Sequence, residues 1–185
     1  MNVQVTGRGR TPSHEMAGDE VVALLEKLDS AGVRVWIDGG WGVDALFAEQ
    51  LRCHDDLDIV VDIHDVPTTQ SVLRSAGYTH QEGEAPLSFM MVDPEGRQVD
   101  VHPATFDAEG NGRYQMHDGH MWTYTVEGLA GRGLIDGTPV SCLTPEFQLQ
   151  VHAGYELTRK DHEEVRLLRE RFGVDPPGGY ERPRQ

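Results

Sequence analysis

Three carboxylates, Asp55, Asp56 and Asp58, crowd into four positions of the stretch RCHDDLDIVVD. Like charges packed that closely destabilise one another unless a proton or a cation sits between them. The stretch is therefore either a solvated acidic turn or a metal site. DLDIVVD is rich in β-branched residues and reads as a strand, on which Asp56 and Asp58 point to one side and Leu57 and Ile59 to the other. Asp55 is out of phase with that pair. A later aspartate, Asp100, lies between Val99 and Val101 in RQVDVHP, where a solvated surface carboxylate is out of place. Oxygen donors of this kind suit Mg2+, which commonly bridges protein carboxylates to substrate phosphates. Upstream, the apolar run VRVWID leads to Gly39-Gly40 and then to a helical pattern. Glycines at a helix start let backbone N–H groups approach a phosphate closely. Taken singly these signals are weak: a lone Gly-Gly is usually a turn, and a lone Asp-x-Asp usually lies on the surface.

The elements that must position these residues follow from periodicity. Val21, Val22, Leu24, Leu25 and Leu28 form a helical stripe that Gly32 closes. VRVWID is a buried strand, GGWGVDALFAEQ a turn entering a short amphipathic helix, and the segment from Val66 to Ala76 a helix ended by Gly77. YTHQE, LSFMMVD and RQVDVHP read as strands, the latter two joined by the turn PEG into a hairpin with Asp100 on its returning strand. From Ala104 to Gly119 the Gly-, Asp- and Asn-rich chain predicts a long loop, and WTYTV and GTPVSC two short strands. Pro145 after Thr144 marks a helix start, and KDHEEVRLLRERF a second, charged helix. The domain expectation is a core over 14–126, a C-terminal strand and helical lobe over 127–173, and flexible tails at 1–13 and 174–185.

Composition narrows the function. The chain has 185 residues and a formal net charge of -15. That balance argues against nucleic-acid binding, whose affinity comes largely from Lys and Arg on phosphates, and accommodates a cationic partner. Cys53 and Cys142 form no CxxC pair, which fits a reducing compartment. No apolar run is long enough to span a membrane, and the N-terminus lacks the apolar core of a signal peptide, so the expectation is a cytoplasmic protein.

In their order, strand, Gly-Gly, helix, Asp-x-Asp strand and in-strand Asp, these features resemble the minimal nucleotidyltransferases of the polymerase β superfamily. WIDGGWGVDAL followed by RCHDDLDI is similar to the small antibiotic-modifying branch that includes lincosamide nucleotidyltransferases and aminoglycoside 2''-adenylyltransferases. VDVHP, FDAEGNG and PEFQLQVHAGYELTRKDHEEVRLL look like the lincosamide subgroup. The resemblance implies an α/β fold, a mixed β-sheet flanked by helices with a small C-terminal helical lobe. It implies transfer of AMP from ATP to a hydroxyl of a small-molecule antibiotic, with a lincosamide favoured over an aminoglycoside. A non-enzymatic, antitoxin-like nucleotidyltransferase module is the remaining alternative. Asp56 and Asp58 would hold Mg2+, as two ions, with Asp100 either a third ligand or the base for the acceptor hydroxyl. Gly39 and Gly40 would form the triphosphate turn, with Arg52, His54 and Lys160 as further nucleotide contacts. His102, His152 and Tyr155 are candidates for the acceptor side. A homodimer is left open.

Overall fold

The computed structural model describes residues 15–152 and 159–175, the side chains of residue 152 and residues 159–161 excepted. Its centre is a nine-stranded mixed sheet. In chain order the elements are α1 (Gly18–Ser30), β1 (Val35–Ile37), α2 (Gly39–Phe47), β2 (Asp56–Asp62), α3 (Val66–Ser75), β3 (Thr79–Gly83), β4 (Phe89–Val92) and β5 (Gln98–Phe106). There follow β6 (Gly112–Gln115), β7 (Met121–Tyr124), β8 (Gly131–Ile135), β9 (Thr138–Cys142), α4 (Pro145–His152) and α5 (Arg159–Phe172). The strand order is β3-β4-β5-β2-β1-β9-β8, and β6 pairs with both β5 and β7. Pairing is antiparallel between β1 and β2 but parallel between β2 and β5 and between β1 and β9.

The two faces of the sheet are buried differently. Ile37, Leu57, Ile59, Val99 and Val101 pack on one face with Leu24 and Leu28 of α1 and Leu73 of α3. Removing such side chains from water is the main stabilising term, about 25 cal/mol per Å² of apolar surface. On the other face Trp36, Val60 and Ala104 meet Tyr114, Tyr124 and Phe147. A third cluster, Val43, Leu149, Val165, Leu168 and Val174, joins α2 to α4 and α5. The same face also carries the half-buried polar positions of β2 and β5.

Three expectations change. The segment from Ala104 to Gly119 is not one long loop: β5 runs on to Phe106, and Gly112–Gln115 alternates buried and exposed residues as it pairs with Met121–Tyr124. The boundary expected at 126/127 falls inside a continuous sheet, because the hairpin of β8 and β9 joins it through β1. Val174, assigned to the tail, is 8% exposed and belongs to the α5 cluster. Gly173, with a φ of 68°, turns the chain at the helix end so that Val174 packs back on that cluster. Among the described residues no helix is long and apolar enough to cross a membrane.

Candidate active site

The acidic residues come together through register. Parallel strands β2 and β5 place Asp58 opposite Asp100 and Asp56 opposite Gln98. Adjacent strands lie about 4.8 Å apart, so side chains at one register on one face are neighbours. Alternation puts Asp56, Asp58, Asp100 and His102 on the face away from α1 and α3. The hairpin turn Pro94–Gly96 returns the chain as expected, with β4 pairing Met90 to Asp100.

This crowding shows in the acid strengths. Asp100 has its pKa raised to about 6, first by burial and then by the Asp58 carboxylate, with His102 opposing. Asp56 is raised as well, by burial and by Asp58 and Asp55, against the nearby Arg52 and His54. His102 lies with Nε2 3.5 Å from Asp58 Oδ1. Burial opposes its charge, but the hydrogen bond to Asp58 and the carboxylates of Asp58, Asp38 and Asp100 outweigh it, and the net shift is upward. Among the described residues no three such side chains converge tightly enough to hold an ion as a set; like-charge repulsion works against that convergence. The donor set itself, all carboxylate oxygen on one half-buried face, fits Mg2+.

The Gly-Gly segment opens α2 rather than preceding it. Asp38 caps the helix: its Oδ1 accepts from Gly39 N at 2.7 Å, and its own N–H donates to the Asp58 carbonyl at 3.0 Å. Gly39 has φ +60°, and a Cβ there would collide with the Asp58 carboxylate. Glycine is required on both counts. The next N–H groups, of Gly40 and Trp41, have no intrahelical partner by helix geometry. Gly40 also makes room beneath the helix, since a Cβ would lie 2.6 Å from Arg52 Nη2 and run into the His54 ring.

His54, read from the sequence as a phosphate contact, is buried instead, at 1% exposed, with Nε2 2.6 Å from Asp44 Oδ2. Asp44 therefore serves this pair, and Trp41 covers it with ring centroids 4.9 Å apart. Arg52 does stand at the site. Its Nε donates to Glu164 Oε1 of α5 at 2.7 Å and its Nη1 to the Cys53 carbonyl at 3.1 Å.

Beyond His102 an aromatic wall closes the face. Tyr114 meets the His102 ring edge-on at 5.5 Å, Tyr124 lies 6.3 Å from Tyr114, and Phe147 lies 5.9 Å from Tyr124. Tyr124 hydrogen-bonds Asp38 and is pushed well above the usual phenol range, by burial first and by the Asp38 charge. His117, which could be mistaken for a metal ligand, has Nε2 2.8 Å from Ser88 Oγ and ties the β6–β7 turn to the residue that precedes β4. His152 ends α4 and Lys160 lies in the first turn of α5; their side chains, and Tyr155 altogether, lie outside the described residues. Sequence reasoning missed Asp38, Glu164 and the aromatic wall. For Asp38 a signal was present, an aspartate directly before a Gly-Gly helix start, which is an N-cap position.

A mixed sheet that sets acids at one register of two parallel strands, beside a glycine-opened helix start, is the architecture of a nucleotidyltransferase, and the chain is an enzyme of that class. Residues 20–168 match the family model described as aminoglycoside-2''-adenylyltransferase, and the chain belongs to that family. It is 28% identical over 150 residues to a lincosamide resistance protein of Staphylococcus haemolyticus, which spans 81% of this chain and 92% of the relative. The lincomycin-bound crystal structure of the lincosamide antibiotic adenylyltransferase LnuA superimposes with a TM-score of 0.75 at 26% identity, covering 84% of this chain and 98% of that one. ANT(2'')-Ia in complex with adenylyl-2''-tobramycin shares the fold, with a TM-score of 0.68 at 21% identity over 84% and 89% of the two chains.

Proposed function

We propose that this chain transfers AMP from ATP to a hydroxyl of a lincosamide antibiotic, releasing pyrophosphate and inactivating the drug. One observation carries the transfer chemistry: Asp58 and Asp100 face each other at one register, with Asp56 beside them and the start of α2 against Asp58. Asp56 and Asp58 would hold Mg2+, with Asp100 beside them as the base. Bound there, the metal would neutralise charge on the phosphoryl oxygens and orient the attacking and leaving groups.

The chain's own residues supply the rest. N–H groups of Gly40 and Trp41, at the positive end of α2, bind phosphate oxygens. Arg52 adds a cation on the same side. A base positioned for the acceptor hydroxyl is worth about 10²- to 10⁴-fold, and it works best with a pKa near the operating pH. Asp100, half-buried on β5 and facing Asp58 at one register, is the carboxylate placed for that role. His102, with Nε2 on Asp58, steadies the central acid, and the wall of Tyr114, Tyr124 and Phe147 keeps water from that flank. The acceptor hydroxyl then attacks the α-phosphorus in line, its proton passing to Asp100 as pyrophosphate leaves.

The lincosamide assignment rests on two relatives, the resistance protein and LnuA. An aminoglycoside is the competing acceptor, favoured by the family description. The net charge of -15 suits either cationic drug. Incubation with Mg2+, ATP and a panel of lincosamides and aminoglycosides, followed by mass spectrometry, decides. The expected result is one AMP adduct on lincosamides; adducts on aminoglycosides alone would refute the acceptor, and none on any drug would refute the transfer.

A further inference from the structure

Arg52 sits where three parts of the molecule meet. Its Nη2 packs against Gly40 in the first turn of α2, close enough that a Cβ there would lie 2.6 Å away. Its charge reaches the Asp56 carboxylate. Its Nε is bonded at 2.7 Å to Glu164, a residue 112 positions later on α5. Glu164 is 5% exposed and is flanked by Val165, at 1%, which packs with Val43 of α2. A glutamate this buried is costly unless it is paired. The residue types in VRLL need only an apolar stripe, so the helix could dock without a carboxylate at that place.

We propose that Glu164 is a positioning residue for polyphosphate binding: it holds the Arg52 guanidinium against the first turn of α2, so that the C-terminal helix sets the affinity for the nucleotide. The proposal rests on the nucleotidyl-transfer reading above. An arginine side chain has large rotamer freedom, and its planar fork loses less of it per hydrogen bond when it is pre-organised. Two of its N–H directions are fixed by Glu164 and the Cys53 carbonyl. The Nη2 edge is thereby held beside Gly40, in the turn that a triphosphate would approach past the Asp56 and Asp58 carboxylates. Against this stands the partial cancellation of the arginine charge by Glu164. Orientation wins because a mobile guanidinium in so acidic a neighbourhood would be drawn to Asp55 and Asp56 instead, and would be lost to the phosphate.

The two effects have opposite signs, so measurement separates them. Wild type, Glu164→Gln, Arg52→Gln and the charge swap Arg52→Glu with Glu164→Arg are compared for ATP dissociation constant in Mg2+ buffer, for ATP and acceptor KM, and for melting temperature. In Glu164→Gln the ATP dissociation constant and KM are expected to rise about 10-fold, with the acceptor KM within 2-fold. In the charge swap the melting temperature is expected to recover while ATP affinity does not. Unchanged or tighter ATP binding in Glu164→Gln would overturn the proposal. So would recovery of both properties in the swap, which is the behaviour of a merely structural ion pair. If wild type itself bound no ATP, the transfer reading would fail first, and the two failures are distinguishable.

Discussion

Gly39 passes against the carboxylate of Asp58, so closely that the strand bearing the acids and the helix start facing the phosphates are a single interlocked unit. The left-handed φ of Gly39 and the Asp38 cap hold the same turn. Gly39→Ala should therefore fail twice, once by a backbone cost of about 1–2 kcal/mol and again by displacing Asp58. The expected outcome is a melting temperature several degrees lower and a loss of kcat/KM of at least about 100-fold. Steady-state kinetics on the folded variant checks it; near-normal activity would separate the turn from the metal strand.

Asp100 offers a test in pH. Its folded-state pKa of about 6 lies above the 3.8 of an ordinary aspartate. The folded state thus binds the proton more tightly than the unfolded chain does, and stability falls as pH rises from about 4 to about 6. In metal-free buffer at pH 7.5, Asp100→Asn should be more stable than wild type, by about 1–2 kcal/mol once partial solvent access is allowed for. The same variant should be inactive by at least about 100-fold. Urea denaturation at pH 4 and 7.5 reads the first, and a variant less stable at both would contradict it.

Asp55 is exposed and out of phase with Asp56 and Asp58, and its backbone carbonyl accepts from Gln98 N at 2.9 Å. Asp55→Asn keeps that bond. Activity within about 3-fold of wild type is expected, whereas Asp56→Asn and Asp58→Asn should each lose at least about 100-fold. Equal losses at all three positions would mean that total charge, rather than strand phase, controls the site.

The Asp44–His54 pair is buried on both sides, at 3% and 1% exposed. Removing one partner leaves the other unsatisfied, so Asp44→Ala should cost about 1–3 kcal/mol. A calorimetric scan measures the loss. A loss of ATP affinity with no drop in melting temperature would instead return His54 to the phosphate site.

The local signals were legible because they obey short-range rules. Two-residue alternation in DLDIVVD set Asp56 and Asp58 on one side, the turn in PEG returned the chain to Asp100, and the Gly-Gly pair marked a helix start. Residue types and order along the chain were enough to suggest metal-assisted phosphoryl chemistry. What local rules could not supply was partner choice. That Asp58 faces Asp100 depends on β5 pairing with β2 across about 40 residues, a choice made by burial of Ile59, Val99 and Val101 against α1 and α3. β8 escaped notice for a related reason: Gly131 and Gly133 carry no strand pattern, yet a Cβ at either would strike backbone of Leu143 or Ala45. His54 read as a nucleotide contact and Glu164 as one charge of a charged helix, and only their partners, Asp44 and Arg52, make them interior ones. A side chain's chemistry is written in its own residue, but its burial and its charge environment belong to neighbours that the fold brings from elsewhere in the chain.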